Sequence, residues 1–407
     1  MTSPGARSRF QVSRRDLLIG AGAAVGAGAI TAAGATVIAQ NASASTATAI
    51  GTGVEPFFGP NQAGVRTAAQ AHGVFAAYTL NDTAILDTVR GVMRVATIEA
   101  SRLCAGEPGM SDTDPTIATV PARLTITFGF GHGLFDAIGL ANRKPEGFIR
   151  LPAFGVDELR PEYSGGDLLI QIGSDDPLTL AHAHRHMTRV VSSIAAPLYS
   201  QRGFSRAAGA VDPSETPRNL MGFKDGTENP RTDDTFDEQV WAGADAGWFA
   251  GGTQVVIRRI AMKLDPWDRL GPGDKEAAFG RRMVSGAPLT GENEFDKPDF
   301  VARNSAGLTV IPDFSHMRRA HTGDPAHRFL RRPLNYDEGF ATDGTPNSGL
   351  IFAAYTTNID KRYLPVQQRL ADFDLLNVWT VPIGSSEFVI PPGVPAGGYI
   401  GQQLFDS

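Results

Sequence analysis

The chain has 407 residues, 42% of them apolar and 20% charged, with a formal net charge of −6. That apolar share is ample for the core of one large domain or two, and too small for a polytopic membrane protein. The acidic balance argues against nucleic-acid binding, which needs clustered Lys and Arg to neutralise phosphates.

Residues 1–44 read as an export signal rather than as part of the fold. Arg7, Arg9, Arg14 and Arg15 form a positive start, residues 17–39 carry no charge, and Ala42-Ser43-Ala44 supplies a small-x-small cleavage site. The pair Arg14-Arg15 stands in Ser13-Arg14-Arg15-Asp16-Leu17-Leu18, the setting of twin-arginine (Tat) export. A Gly/Ala-rich stretch of this kind makes a poor transmembrane helix. The alternative is an uncleaved membrane anchor. The sequence thus predicts passage through the Tat translocase to the periplasm, the cell envelope or the exterior. Without residues 1–44, which hold four arginines and one aspartate, 33 basic and 42 acidic residues remain, a net charge of −9. The single cysteine, Cys104, can form no disulfide within the exported chain and no thiolate cluster. Any metal must then be held by histidine, carboxylate or a cofactor ring.

Residues 45–54 are small and polar and read as a flexible lead-in. A helix is predicted over 83–100, where Ile85, Leu86, Val89, Val92, Met93 and Ala96 recur at helical spacing. Strands follow at 124–130 and 168–172. The second leads through Asp175-Asp176-Pro177, an N-cap with proline in the first turn, into a helix reaching about Leu198. Residues 200–220 read as the crossing between two halves. The second half repeats the grammar, with strands at 253–260 and 349–355, a short helix at 275–282 and another beginning at 365–370. Few strands are joined by tight hairpins, which favours an α+β arrangement of antiparallel sheets over a doubly wound one. Neither GxGxxG nor GxxxxGK[ST] occurs, so nucleotide binding has no positive sign.

Three segments stand out. Residues Asn219 to Pro230 read, on composition, as an Asp-Gly turn followed by an Asn-Pro turn. The functional reading is that Gly222 and Gly226 strip side chains from a loop pressed on a flat ligand, with the Asp225 carboxylate projecting over it. The segment 311–321 carries His316 and His321, and His316 stands 15 residues before Arg331. The segment 279–289 carries Arg281 and Arg282. On the predicted helix, His182 and His186 have the i, i+4 spacing of a zinc site, but no carboxylate partner is apparent, and a surface helix is expected.

In chain order, Phe57 to Val65, Thr127 to Asp136, Ser164 to Leu169 and the Gly222–Gly226 loop form a recognisable set. Trp267-Asp268-Arg269, Ser285 to Gly291, the His316 and Arg331 segments, Pro391-Pro392-Gly393 and Gly397 to Gly401 continue it. Together they resemble the dye-decolourising peroxidase family, in particular its Tat-exported, EfeB-like branch, over nearly all of residues 55–407. The resemblance implies two ferredoxin-like α+β domains, residues 55–212 and 213–407, with one haem b held mainly by the second. It implies that His316 is the proximal haem ligand, Asp225 the distal acid–base carboxylate and Arg331 the distal arginine. Arg281 resembles the arginine that pairs with a haem propionate. Gly226, Thr227 and Glu228 fall beside the ring, and His321, Thr322 and Gly323 in the loop after the ligand. His321 stands where relatives often have asparagine and Pro333 where glycine is common, so His321 is a second candidate ligand. Asp296 and Asp299 are the candidates for orienting the proximal imidazole.

The implied activity is haem-dependent oxidation of dyes, phenols or other bulky reductants by hydrogen peroxide, through a ferryl intermediate. Alternatives are a deferrochelatase that releases iron from haem and a haem-binding protein without turnover. The implied partners are hydrogen peroxide, an organic reductant and the Tat translocase, with a second copy of the chain or an iron-uptake system beyond them. A carboxylate within reach of peroxide can shuttle its proton, a fixed guanidinium stabilises the separating charge, and an oriented neutral imidazole donates density to iron. Trp241, Trp248, Trp267, Trp379, Tyr336 and Tyr355 could relay oxidising equivalents outward, though packing is the expected role for most.

Overall fold

Two copies of one strand–helix grammar build the protein. The structure is a computed structural model and describes residues 50–212 and 214–407. The predicted leader, 1–44, and residues 45–49 of the lead-in lie outside the described residues.

In the first half, β1 (His72–Leu80), α1 (Leu86–Cys104), β2 (Thr125–Phe130), the short α2 (His132–Ala137), β3 (Leu168–Ser174), α3 (Pro177–Val191) and β4 (Ala195–Phe204) follow in order. All pairings are antiparallel and give the order β2-β3-β1-β4. With the two long helices this is the ferredoxin-like plan. Helix α1 buries Val89, Met93, Ala96, Ala100 and Leu103, a stripe at spacings of three and four that packs on the sheet. Helix α3 starts as predicted: Asp176 accepts a hydrogen bond from the Thr179 amide at 2.7 Å, with Pro177 in the first turn.

After the short α4 (Asp233–Gln239) come β5 (Thr253–Met262), α5 (Leu264–Asp268), α6 (Pro272–Phe279), α7 (His316–Ala320), β6 (Leu330–Arg331), β7 (Leu334–Phe340), β8 (Pro346–Thr356), α8 (Leu364–Phe373), β9 (Thr380–Ile390) and α9 (Gln402–Phe405). The second sheet has the same antiparallel plan, β9-β5-β8-β7. Strands β6 and β7 share the edge of β8, separated by Arg332 and by Pro333, which has no amide hydrogen to donate. Single bridges at Phe130–Val389 and Phe204–Asn335 join the two sheets. Phe75 and Ala77 from one sheet meet Val255, Ile257, Ile351 and Phe388 from the other in a shared core. Most of β5 is buried, and Val255, Val256 and Ile257 place apolar side chains on both of its faces rather than in a strict alternation. Its even-numbered residues Arg258, Ile260 and Met262 face the other way, toward the functional cavity.

The structure corrects several boundaries. The second predicted helix ends at Val191, not near Leu198, and Ser200 to Phe204 belong to β4 rather than to a crossing. Leu80 of β1 pairs with Ala195, so the sheet takes over where helical spacing would have continued. The 275–282 helix spans Pro272–Phe279, which leaves Arg281 beyond its glycine cap. The described end of the lead-in is tied down, since the carbonyls of Gly51 and Gly53 accept from the amides of Ala122 and Arg123. Among the described residues, no helix is long and apolar enough to cross a membrane.

Candidate active site

The outer face of the second sheet is not covered by close-packed helices. It floors a cavity of about 510 Å³, within the range of small-molecule and cofactor sites. Of the residues that line it, only Val156 comes from the first half. His316, His321, Thr322, Gly323, Asp225, Thr227, Glu228, Arg281 and Arg331 all face this one space.

The Asp225 loop is shaped by two left-handed glycines, Gly222 at φ +90° and Gly226 at φ +128°. Asn219 pins its first turn by accepting from the amides of Met221 and Phe223 at 3.1 and 3.3 Å. Gly226 is buried and is not in the cavity wall; it turns the chain beside Asp225 instead of lining the ligand space. The Asp225 side chain is only 11% exposed, its Oδ1 lies 3.3 Å from Nη1 of Arg331, and that oxygen makes no hydrogen bond. An unsatisfied buried carboxylate oxygen is costly and marks a place where a donor is expected.

Arg331 is held from behind. The side-chain amide of Asn229 donates to the Arg331 carbonyl at 2.7 Å and accepts from its amide at 2.9 Å. This two-way clasp fastens the Asp225 loop to β6. The sequence offered only an Asn-Pro turn at that position.

His316 opens α7, and its Nδ1 lies 2.5 Å from Oδ2 of Asp374. Neither Asp296 nor Asp299 plays this part. Asp296 accepts from the amides of Glu292 and Asn293 and closes its own turn, while Asp299 caps the amides of Val301 and Ala302. Asp374 comes from the end of α8, 58 residues along the chain, with its side chain 4% exposed. Its second oxygen accepts from the Leu376 amide at 3.0 Å, which fixes the carboxylate. A tethered Nδ1 leaves Nε2 as the free nitrogen at the cavity. His321 lines the same cavity, but its ring rests on Phe300, 5.0 Å between centroids, and neither ring nitrogen is hydrogen-bonded to a described residue. Burial pulls its pKa below the ordinary value; Glu228 opposes this, and Arg328, Arg369 and Lys297 add to it.

Arg281 is buried, with Nη1 donating to the carbonyls of Gly286 and Glu294 at 2.8 and 2.9 Å and Nη2 3.6 Å from Glu228. Burial lowers its pKa, Glu228 opposes the shift, and Arg331 reinforces it. The cavity thus joins a largely apolar floor, one tethered imidazole, one underused carboxylate and the guanidiniums of Arg281 and Arg331. Those groups fit an iron porphyrin: Nε2 of His316 for the metal, the floor for the ring, and Arg281 for an anionic edge substituent. Among the described residues, no group of three or more His, Cys, Asp or Glu side chains could hold a metal ion by itself.

Two expectations outside the cavity resolve differently. His182 and His186 are not on a surface face but buried, at 4% and 1% exposure. Each finds a carboxylate the sequence did not reveal, Asp112 at 2.8 Å and Glu99 at 2.9 Å. Trp267, Tyr336 and Tyr355 are buried core residues, in keeping with packing. Trp248 and Trp379 are partly exposed.

The family models for Dyp-type peroxidase match both halves, the N-terminal one over residues 62–205 and the C-terminal one over 216–395. A dye-decolorizing peroxidase of Thermobifida fusca is 37% identical over 329 residues, 79% of this chain and 76% of its own. A deferrochelatase of Escherichia coli K12 is 32% identical over 415 residues, 96% of each. Among solved structures, a DyP-type peroxidase from Cellulomonas bogoriensis superposes with a TM-score of 0.85 at 42% identity, covering 88% of this chain and 100% of its own. Ferric DtpA from Streptomyces lividans follows at 0.84 and 36%, covering 88% and 98%. Sequence and fold agree along both halves, and the chain belongs to the DyP-type peroxidase family, haem oxidoreductases that take hydrogen peroxide as their oxidant.

Proposed function

We propose that this chain is an exported haem peroxidase in which His316 holds the haem iron, Asp225 moves the peroxide proton and Arg331 stabilises developing charge. One observation carries the reading. A single cavity joins an imidazole whose Nδ1 is spent on a buried carboxylate with a carboxylate whose Oδ1 lacks a hydrogen bond beside a guanidinium. Bound haem supplies the redox centre at which the O–O bond of peroxide is cleaved.

The chain's own residues do the rest. Asp374 accepts the Nδ1 proton of His316, fixes the tautomer and raises the basicity of Nε2. Oδ1 of Asp225 takes a proton from the oxygen of peroxide that attacks and returns it to the oxygen that leaves. Arg331 cannot give up its charge, and the Asn229 clasp on its backbone sets where that charge acts. Arg281 stands ready for a carboxylate substituent such as a propionate.

Asp374→Asn tests the proximal pair. Loss of the charged acceptor is expected to weaken haem binding about 10–100-fold, read by titrating haem-free protein with haemin. Unchanged affinity would mean that the carboxylate does not tune His316.

The reductant is read as a bulky phenol or dye, by analogy with the dye-decolorizing relative. A second reading, release of iron from haem, is favoured by the deferrochelatases that align over 96% of the chain. Peroxide-dependent turnover of a phenolic dye without free protoporphyrin supports the first; accumulation of metal-free protoporphyrin supports the second.

Export rests on residues 1–44. Arg14→Lys with Arg15→Lys is expected to leave unprocessed precursor in the cytoplasm with peroxidase activity intact, because Tat cargo folds before transport. Normal yield outside the cytoplasm, measured by fractionation, would contradict Tat export.

A further inference from the structure

Behind the Asp225 loop lies a carboxylate with no part in the site as described so far. Glu294 is 9% exposed and sits between α6 and α7 in sequence. Its Oε1 accepts from the hydroxyls of Thr216 and Thr227, the latter at 3.0 Å, and its Oε2 pairs with Nζ of Lys224 at 2.6 Å. Its backbone carbonyl accepts from Arg281. One buried side chain therefore grips the residue before Asp225, the residue two after it and the segment entering the loop. Loop geometry alone does not require a charge there, since three neutral acceptors would close the same bonds.

We propose that Glu294 is a positioning residue for peroxide chemistry: by neutralising Lys224 and tying Thr216 and Thr227, it sets both the place and the local field of the Asp225 carboxylate. The inference rests on the assignment of Asp225 as proton shuttle. Asp225 is faced by Arg331 from β6, by Arg281 from the turn after α6, and by Lys224 and Glu228 from its own loop; His316 and His321 line the cavity from α7 and its cap. Of these cations, Arg331 pairs with Asp225 itself at 3.3 Å and Arg281 with the exposed Glu228 at 3.6 Å, whereas Lys224 pairs with a different buried carboxylate, Glu294, at 2.6 Å. Burial would raise the Glu294 pKa, but the bonds from Lys224, Thr216 and Thr227 hold it below the ordinary value, which favours the ionised carboxylate.

Two substitutions with opposite signs test the proposal. Glu294→Gln keeps an oxygen for the threonines and removes the counter-charge, which leaves the Lys224 cation uncompensated beside Asp225. The rate at which peroxide changes the haem spectrum is followed as it falls on the acid side. In Glu294→Gln the midpoint of that fall is expected to move down by roughly half to one pH unit. Lys224→Met leaves Glu294 unmatched and is expected to move it up by a similar amount. Hydrogen exchange of residues 216–229 in the haem-loaded protein should quicken about tenfold in both variants. Opposite midpoint shifts with quicker exchange support the proposal. A midpoint fixed at the wild-type value in both variants overturns the field, and wild-type exchange in both overturns the positioning. If Asp225→Asn keeps the wild-type rate, the shuttle assignment fails instead, and exchange alone decides whether Glu294 holds the loop.

Discussion

Asp225→Asn is expected to slow the reaction with peroxide about 10²–10⁴-fold, and Arg331→Leu about 10²–10³-fold, with haem retained in both. The two losses differ in kind. Asparagine keeps the size of the side chain and a hydrogen-bonding oxygen but cannot take a proton, so the peroxide must lose it to solvent. Leucine leaves the carboxylate in place and removes a permanent charge 3.3 Å from it. Because Asn229 grips the backbone of Arg331 rather than its side chain, Arg331→Leu should leave the loop clasped to β6. Stopped-flow absorbance, with haem content measured first, checks both variants. Wild-type rates with haem in place would mean that this pair does not handle peroxide.

His316→Ala is expected to leave most of the purified protein without haem, whereas His321→Ala keeps it. Both rings line the cavity, so proximity does not separate them. What separates them is the other ring nitrogen. His316 is anchored by a buried, doubly engaged carboxylate, whereas His321 is more exposed and has no such anchor. An anchored imidazole has already given up its rotational freedom and presents one tautomer, so binding is not opposed by the cost of ordering it. The haem-to-protein absorbance ratio reads the result. Full haem in His316→Ala, with loss in His321→Ala, would move the role to His321.

The strands were legible where a short β-branched run stands out, as Val255-Val256-Ile257 does within 253–260. The end of α3 was not, since Val191, Ile194 and Leu198 keep helical spacing across Ser192-Ser193. Only pairing of Ala195 with Leu80 on β1 decides the matter. At the site, Asp225, His316 and Arg331 were readable because each lies in a short segment with its own chemistry. Their supports were not. Asp374 is 58 residues from His316, Asn229 is 102 from Arg331, and Glu294 is 67 from Thr227. The carboxylates under His182 and His186 lie 70 and 87 residues back. Contacts of that span are made by the packing of sheets and helices, and no local pattern encodes them.

The most direct test of the account is the absorption spectrum of the purified protein before and after one equivalent of hydrogen peroxide. A haem Soret band should be present at first, be altered within the mixing time by peroxide, and return on adding a phenolic reductant. The His316→Ala protein should lack the band, and Asp225→Asn should show it but respond slowly. A wild-type protein with full haem and a spectrum unmoved by peroxide would contradict the peroxidase reading.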